Sequence, residues 1–271
     1  MRLFRNKFEL PIPKRRGIEL QYCPANGRKA PATFTPFLGF SFFRWVLQIT
    51  YFINLSGRNW SNEWHTKAFR KNLIIAGVLL PVILISTHYF FDFIQDCKGG
   101  IVLNDWVLQR LRARDVSMPI SFLMASVMFL CLLRCVSNPT MFLIAIMGFT
   151  LLFTARIITI SCTRLLAPRG LIDLHDPICN LMYGSTFITR DLFFSGHTAT
   201  LSFLFLCSYK KIDKYYILFA VVSVGFLLLV QHVHYTVDVV CAPVFAFGCF
   251  WLSKKIMNMQ GIAIQSPTLR Y

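Results

Sequence analysis

Two short stretches hold the ionisable groups that chemistry would need. Asp191-Leu-Phe-Phe-Ser-Gly-His-Thr198 sets His197 behind a serine and a glycine, at the head of an apolar run that continues to Leu206. Gln231-His-Val-His-Tyr-Thr-Val-Asp-Val239 sets His234 and Asp238 four apart, so on a helix they share one face and can touch. A carboxylate so placed can accept the Nδ1 proton of His234, fix its tautomer and leave Nε2 ready to attack or to accept a proton. His197, from another segment, then suits general acid chemistry toward a leaving group. Ser195 and Gly196 offer a hydroxyl and a flexible backbone at a helix N-terminus, a favourable place for an anion. Arg156, inside a third apolar run, brings a fork of donors matched to phosphate and a charge that does not titrate away. The set describes phosphoryl transfer with a histidine nucleophile. No glycine-rich nucleotide loop accompanies it, so a nucleotide substrate is not indicated.

Each residue alone has a plainer reading. A single histidine near a membrane boundary often only packs there, and Arg156 can snorkel to the headgroups. Polar groups at membrane depth cost ~2.5–3.5 kcal/mol each on insertion scales, so a cluster of them asks for a function. His232 and His234 form a His-x-His pair that invites a metal, but on a helix positions i and i+2 diverge by about 200°. No metal and no cofactor is expected. Asp191 is open among three roles: holding a cationic headgroup, tuning His197 or closing the loop. Asp173, His175 and Asp176 read as solvated loop residues.

The elements that must position these groups are membrane spans. Hydrophobic residues make up 55% of the 271 and charged residues only 15%, too little charge to cover a soluble domain of this length. The apolar residues gather in blocks of about 20, enough to cross a ~30 Å hydrocarbon core. Six blocks qualify, at 72–94, 117–136, 140–163, 193–209, 214–232 and 235–253. The fold class is therefore an all-α integral membrane protein with six transmembrane helices. Residues 1–71 read as a cytosolic basic arm with an interfacial helix at 37–55, 72–255 as the six-helix catalytic domain, and 256–271 as a cytosolic tail. No cleavable signal peptide is visible in the proline-punctuated start.

The net charge of +16 excludes neither nucleic acid nor membrane by itself, but its placement decides. The basic residues crowd between apolar blocks, as topology requires, so no nucleic acid partner is expected. With six spans, 20 of the 28 lysines and arginines fall on the side of the N-terminus and seven on the other, with Arg156 inside a helix. Both termini are thus expected in the cytoplasm. The starts of the fourth and sixth spans and the end of the third then meet on the exoplasmic face, lumenal, extracellular or periplasmic. Cys97 and Cys179 fall in loops on that face, which leaves a disulfide between them open.

At this point the chain resembles a known family. Asp191-x-x-x-Ser-Gly-His-Thr198 and His234-Tyr-Thr-Val-Asp-Val239 are similar to the paired signatures of sphingomyelin synthases, a branch of the type 2 phosphatidic acid phosphatase superfamily. Arg156-Ile-Ile-Thr-Ile160, followed by Pro168, resembles that family's third-helix motif, and the likeness covers roughly residues 70–255. The resemblance implies His234 as nucleophile, Asp238 as its orienting partner and His197 as leaving-group acid. Arg156, Ser195, Gly196, Asp191 and Tyr235 are grouped with them as candidates for the phosphate and headgroup. It also implies a glycerophospholipid donor and a ceramide-like acceptor, with diacylglycerol released. The synthases usually have Cys-Gly before the motif aspartate, where this chain has Thr189-Arg190. The phosphatase branch usually shows Pro-Ser-Gly-His and an arginine six residues before the second histidine, where this chain has Phe194 and Leu228. Two alternatives stand beside the transferase. One is a lipid phosphate phosphatase or headgroup-releasing phospholipase that uses water; the other is a lipid-binding or scrambling protein without catalysis.

Overall fold

The limits of each helix follow from how its end groups are satisfied. The computed structural model describes residues 57, 59–97, 99–175 and 188–259. The expected interfacial helix at 37–55, most of the basic arm, Asp176, Cys179 and the tail past 259 lie outside them. Helix α1 spans Lys67–Asp96, α2 Ser117–Ser137, α3 Pro139–Thr163, α4 Gly196–Cys207, α5 Lys211–Val230 and α6 Thr236–Met259. A 3-10 turn, Leu108–Arg110, interrupts the loop between α1 and α2. Among the described residues there is no strand, only an isolated parallel bridge between Ile101 and Leu165.

Asn138 caps α3 by accepting from the Met141 amide, with Pro139 in the first turn where its missing N–H costs nothing. Trp60 Nε1 and Asn59 Nδ2 donate to the carbonyls of Val136 and Ser137, which the end of α2 would otherwise leave unsatisfied. Helix α4 is shorter than the expected 193–209. Phe193 takes a positive φ of 70° and Ser195 is extended, so the helix starts only at Gly196, and an extended Ser208 stops it after Cys207. Its 12 residues rise about 18 Å. Among the described residues five helices are long and apolar enough to cross a membrane, and α4 is a shorter apolar one. In the other direction, α6 runs past the expected end at 253 to Met259, and α1 begins five residues before 72.

Successive helices alternate in direction. Arg134 near the end of α2 pairs with Asp213 in the first turn of α5, and Gln231 just past α5 donates to Ser117 at the start of α2. Phe69, Leu143 and Met257 pack in one cluster, which puts the start of α1 and the end of α6 at the same end of the bundle. Helix α4 lies among α2, α3, α5 and α6. Gly148 lets it approach α3, since a Cβ there would stand 2.0 Å from the Phe203 ring. The outer helices expose apolar stripes: Ile74, Val78, Val82, Ile85, Tyr89 and Phe93 on α1, and Val237, Val240, Val244, Phe247 and Trp251 on α6. These stripes recur at helical spacing along whole helices, the pattern expected of a lipid-facing surface. The protein is a multi-pass membrane protein.

One pair of opposite charges joins α2 to α5 inside the bundle. The Arg134 guanidinium donates twice to Asp213, at 2.7 and 3.0 Å, in a bidentate pair close to the basic end. Asp213→Ala leaves the arginine without that partner and is expected to lower stability by about 3 kcal/mol. Arg134→Met with Asp213→Leu is expected to recover most of the loss. Unfolding in detergent micelles measures both, and an unaltered Asp213→Ala protein would show that the pair does not hold α2 to α5.

Candidate active site

The starts of α4 and α6 are joined through their backbones. Ser195, the cap of α4, donates its N–H to the Asp238 carbonyl at 3.0 Å and accepts from Thr198 N–H with its hydroxyl. The Asp238 side chain turns back to accept from the Tyr235 amide at 3.1 Å, as an acidic third residue in a helix often does. The same carboxylate oxygen lies 3.5 Å from His234 Nδ1. His234 sits just ahead of the helix, in the turn 231–235, and the four-residue spacing still brings the two side chains together. Both are buried, Asp238 completely. Gly225 on α5 lets this corner close up: a Cβ there would meet Val239 at 2.9 Å and Thr198 at 3.8 Å. His197 lies half-buried in the first turn of α4, beside Gly196.

Arg156 reaches the same corner from α3. Its guanidinium lies so close over Gly196 that a Cβ there would fall 1.3 Å from Nη1. The glycine between Ser195 and His197 is thus needed for contact, since any larger residue would push the arginine away. Arg156 is buried, forms an ion pair with Asp191 and lies 5.9 Å over the Phe194 ring. Phe194 in turn stacks on Phe245 of α6. Asp191 therefore faces Arg156, while its neighbours face away from it. Thr189 accepts from Gln95, and Arg190 donates to the Gly99 carbonyl.

Some groupings differ from the sequence expectation. Tyr235, expected at the headgroup, is fully buried: its hydroxyl donates to the Leu166 carbonyl and accepts from Leu103 N–H. It ties the loops that hold Leu103 and Leu166 to the start of α6. His232 takes a left-handed φ of 56° and directs Nδ1 to the Arg169 carbonyl, so it does not share partners with His234. Gln231 is buried and donates to Ser117 Oγ and the Asp173 carbonyl. Among the described residues no three metal-binding side chains gather in one place.

Asp105 was missed in the sequence. One of its oxygens accepts from Thr236 N–H at 2.6 Å; the other accepts from the Thr236 hydroxyl and from Val107 and Leu108 N–H. One carboxylate thus caps both the 3-10 turn and the helix that begins beside His234. Burial opposes its ionisation, but hydrogen bonds from Thr236, Leu108 and Val107 outweigh it and hold the carboxyl below its ordinary 3.8. The partners are 131 residues apart, and a lone Asn-Asp pair in a connecting loop gave no local signal of them.

These contacts all converge on the two histidine motifs. Residues 190–255 match the family model described as PAP2 superfamily C-terminal. The match spans both motifs, α4, α5 and most of α6, and is consistent with the type 2 phosphatidic acid phosphatase superfamily. It supports a phosphatase or phosphotransferase type of activity on lipid phosphates. No curated protein matches the chain.

Two outcomes follow from this geometry. Gly196→Ala is expected to displace Arg156 and lower turnover by about 10²-fold while the bundle stays folded, because an ångström of misplacement costs that much. Near-normal turnover in Gly196→Ala would show that Arg156 has no part in the reaction. Asp105→Ala is expected to cost about 1 kcal/mol, as loss of a helix cap does. Because the folded-state pKa is lowered, this contribution is present above 3.8 and is lost as pH falls through the folded value. Hydrogen exchange at the Thr236 and Val107 amides should accelerate below pH 3.8 in the wild type, and the acceleration should be absent in Asp105→Asn.

Proposed function

We propose that the chain is a phospholipid:ceramide headgroup phosphotransferase, with six spans, both termini cytoplasmic and the site on the exoplasmic side. The observation that carries the reading is the His234–Asp238 pair, 3.5 Å apart and buried where the starts of α4 and α6 join. Helix α4 serves as the sixth span, short but enclosed by four neighbours. The alternating directions and the weight of basic residues toward the N-terminal side support the topology.

In the first step His234 Nε2 attacks the phosphorus of a glycerophospholipid. The bond between phosphorus and the glycerol oxygen breaks as His197 gives that oxygen its proton, and diacylglycerol leaves. Asp238 accepts the Nδ1 proton of His234 and stabilises the charge that develops on the ring. Arg156 stabilises the phosphoryl oxygens in the transition state. The primary hydroxyl of ceramide then loses its proton to His197 and attacks the phosphohistidine, which restores His234 and yields the phosphosphingolipid. Ser195 and Gly196 shape the floor, Asp191 orients Arg156, and Tyr235 holds the loops around the site.

The test is purified protein in mixed micelles with a labelled glycerophospholipid, with and without ceramide. Labelled phosphosphingolipid is expected only with ceramide. His234→Ala should abolish it, and His197→Ala should slow it by about 10²–10⁴-fold. Turnover intact in His234→Ala sinks the mechanism. Free phosphate or phosphocholine with no ceramide product would assign water as the acceptor.

A further inference from the structure

We propose that the cleft between the ends of α1 and α3 binds the phosphate of an anionic phospholipid, at a site separate from the reaction centre. The cavity holds about 80 Å³, room for a phosphate group and not for a whole lipid. Arg164 and Arg190 line it together with Ser161, and no carboxylate is among its described lining residues. Phe90, Phe93 and Leu165 form its apolar wall, and Phe93 continues it outward onto the exposed stripe of α1. A polar, doubly basic end on an apolar track fits one ligand chemistry: a phosphodiester head with acyl chains below it.

The two arginines come from different elements. Arg164 follows the last turn of α3 in a left-handed conformation, φ 41°, and is exposed. One cation there suits the carbonyl end of a helix. Arg190 is a second cation from a different loop and exceeds what the helix end needs. Its Nη1 is held by the Gly99 carbonyl, which anchors the side chain at the cleft. Two positive charges against one phosphodiester leave a surplus, so a headgroup with net negative charge is favoured over a zwitterionic one. The adjacent Asp191 pairs with Arg156 inside the reaction centre, so the two consecutive residues serve two separate places.

The inference rests on this end of the bundle lying at the membrane boundary, and not on the chemistry of His234. It is therefore tested by binding. The full chain carrying His234→Ala, purified in a neutral detergent, is titrated with phosphatidylglycerol, phosphatidylcholine and diacylglycerol of matched chains. Native mass spectrometry then counts the lipids retained. Phosphatidylglycerol should be retained best. Arg164→Gln with Arg190→Gln should weaken it about tenfold and leave diacylglycerol unchanged. Arg164→Lys with Arg190→Lys should keep most of the binding, which separates loss of charge from loss of fold. Unchanged phosphatidylglycerol retention in the glutamine variant overturns the proposal. So does a parallel loss of diacylglycerol, or displacement of the lipid by millimolar inorganic phosphate.

Discussion

The hydrogen bond from Ser195 N–H to the Asp238 carbonyl is the joint on which the site depends. It couples the first turns of two helices whose starts lie 40 residues apart in the chain. Asp238 takes part three times: its carbonyl holds α4, its carboxylate caps α6, and that same carboxylate sits beside His234. A shift of α4 relative to α6 therefore moves His197 and the His234–Asp238 pair against each other. Arg156 adds a third constraint, because its position is set by the missing side chain at Gly196. The arrangement is held by buried, short-range contacts, which is how a cluster of polar groups survives inside an apolar bundle.

Much of this was legible in the chain, for stated reasons. Long apolar runs with caps such as Asn138-Pro139 announce helices, and the limits of α2 and α3 came within one residue of expectation. The spacing of His234 and Asp238 survived even though His234 lies before the helix, because a turn that enters a helix keeps the i,i+4 neighbourhood nearly intact. Helix α4 was misjudged at both ends. Hydropathy does not register a backbone turn at Phe193, and apolar residues continue on either side of the true limits.

The loops were the illegible part. Asp105, Tyr235 and Gln231 act through partners 58 to 132 residues away, and no periodicity reports such pairings. Thr189-Arg190, where the chain departs from the synthase pattern, gave no sign of its partners. Its side chains meet Gln95 in the last turn of α1 and the Gly99 carbonyl just past it. Asp191, next to them, is the residue that turns inward to Arg156.

On the proposed reading, the short fourth helix sets how deep the reaction sits. A Cβ at Gly225 would lie 3.8 Å from Thr198, more than a turn before α5 ends at Val230, so the head of α4 sits below the end of α5. On the proposed reading, that depth is itself a filter. A two-chained lipid holds its reactive oxygen at a level set by its tails, and a second such lipid presents its hydroxyl at nearly the same level. Water has no tails and must descend past the end of α5. Depth alone would then favour transfer from lipid to lipid over hydrolysis, without any group that recognises the acceptor.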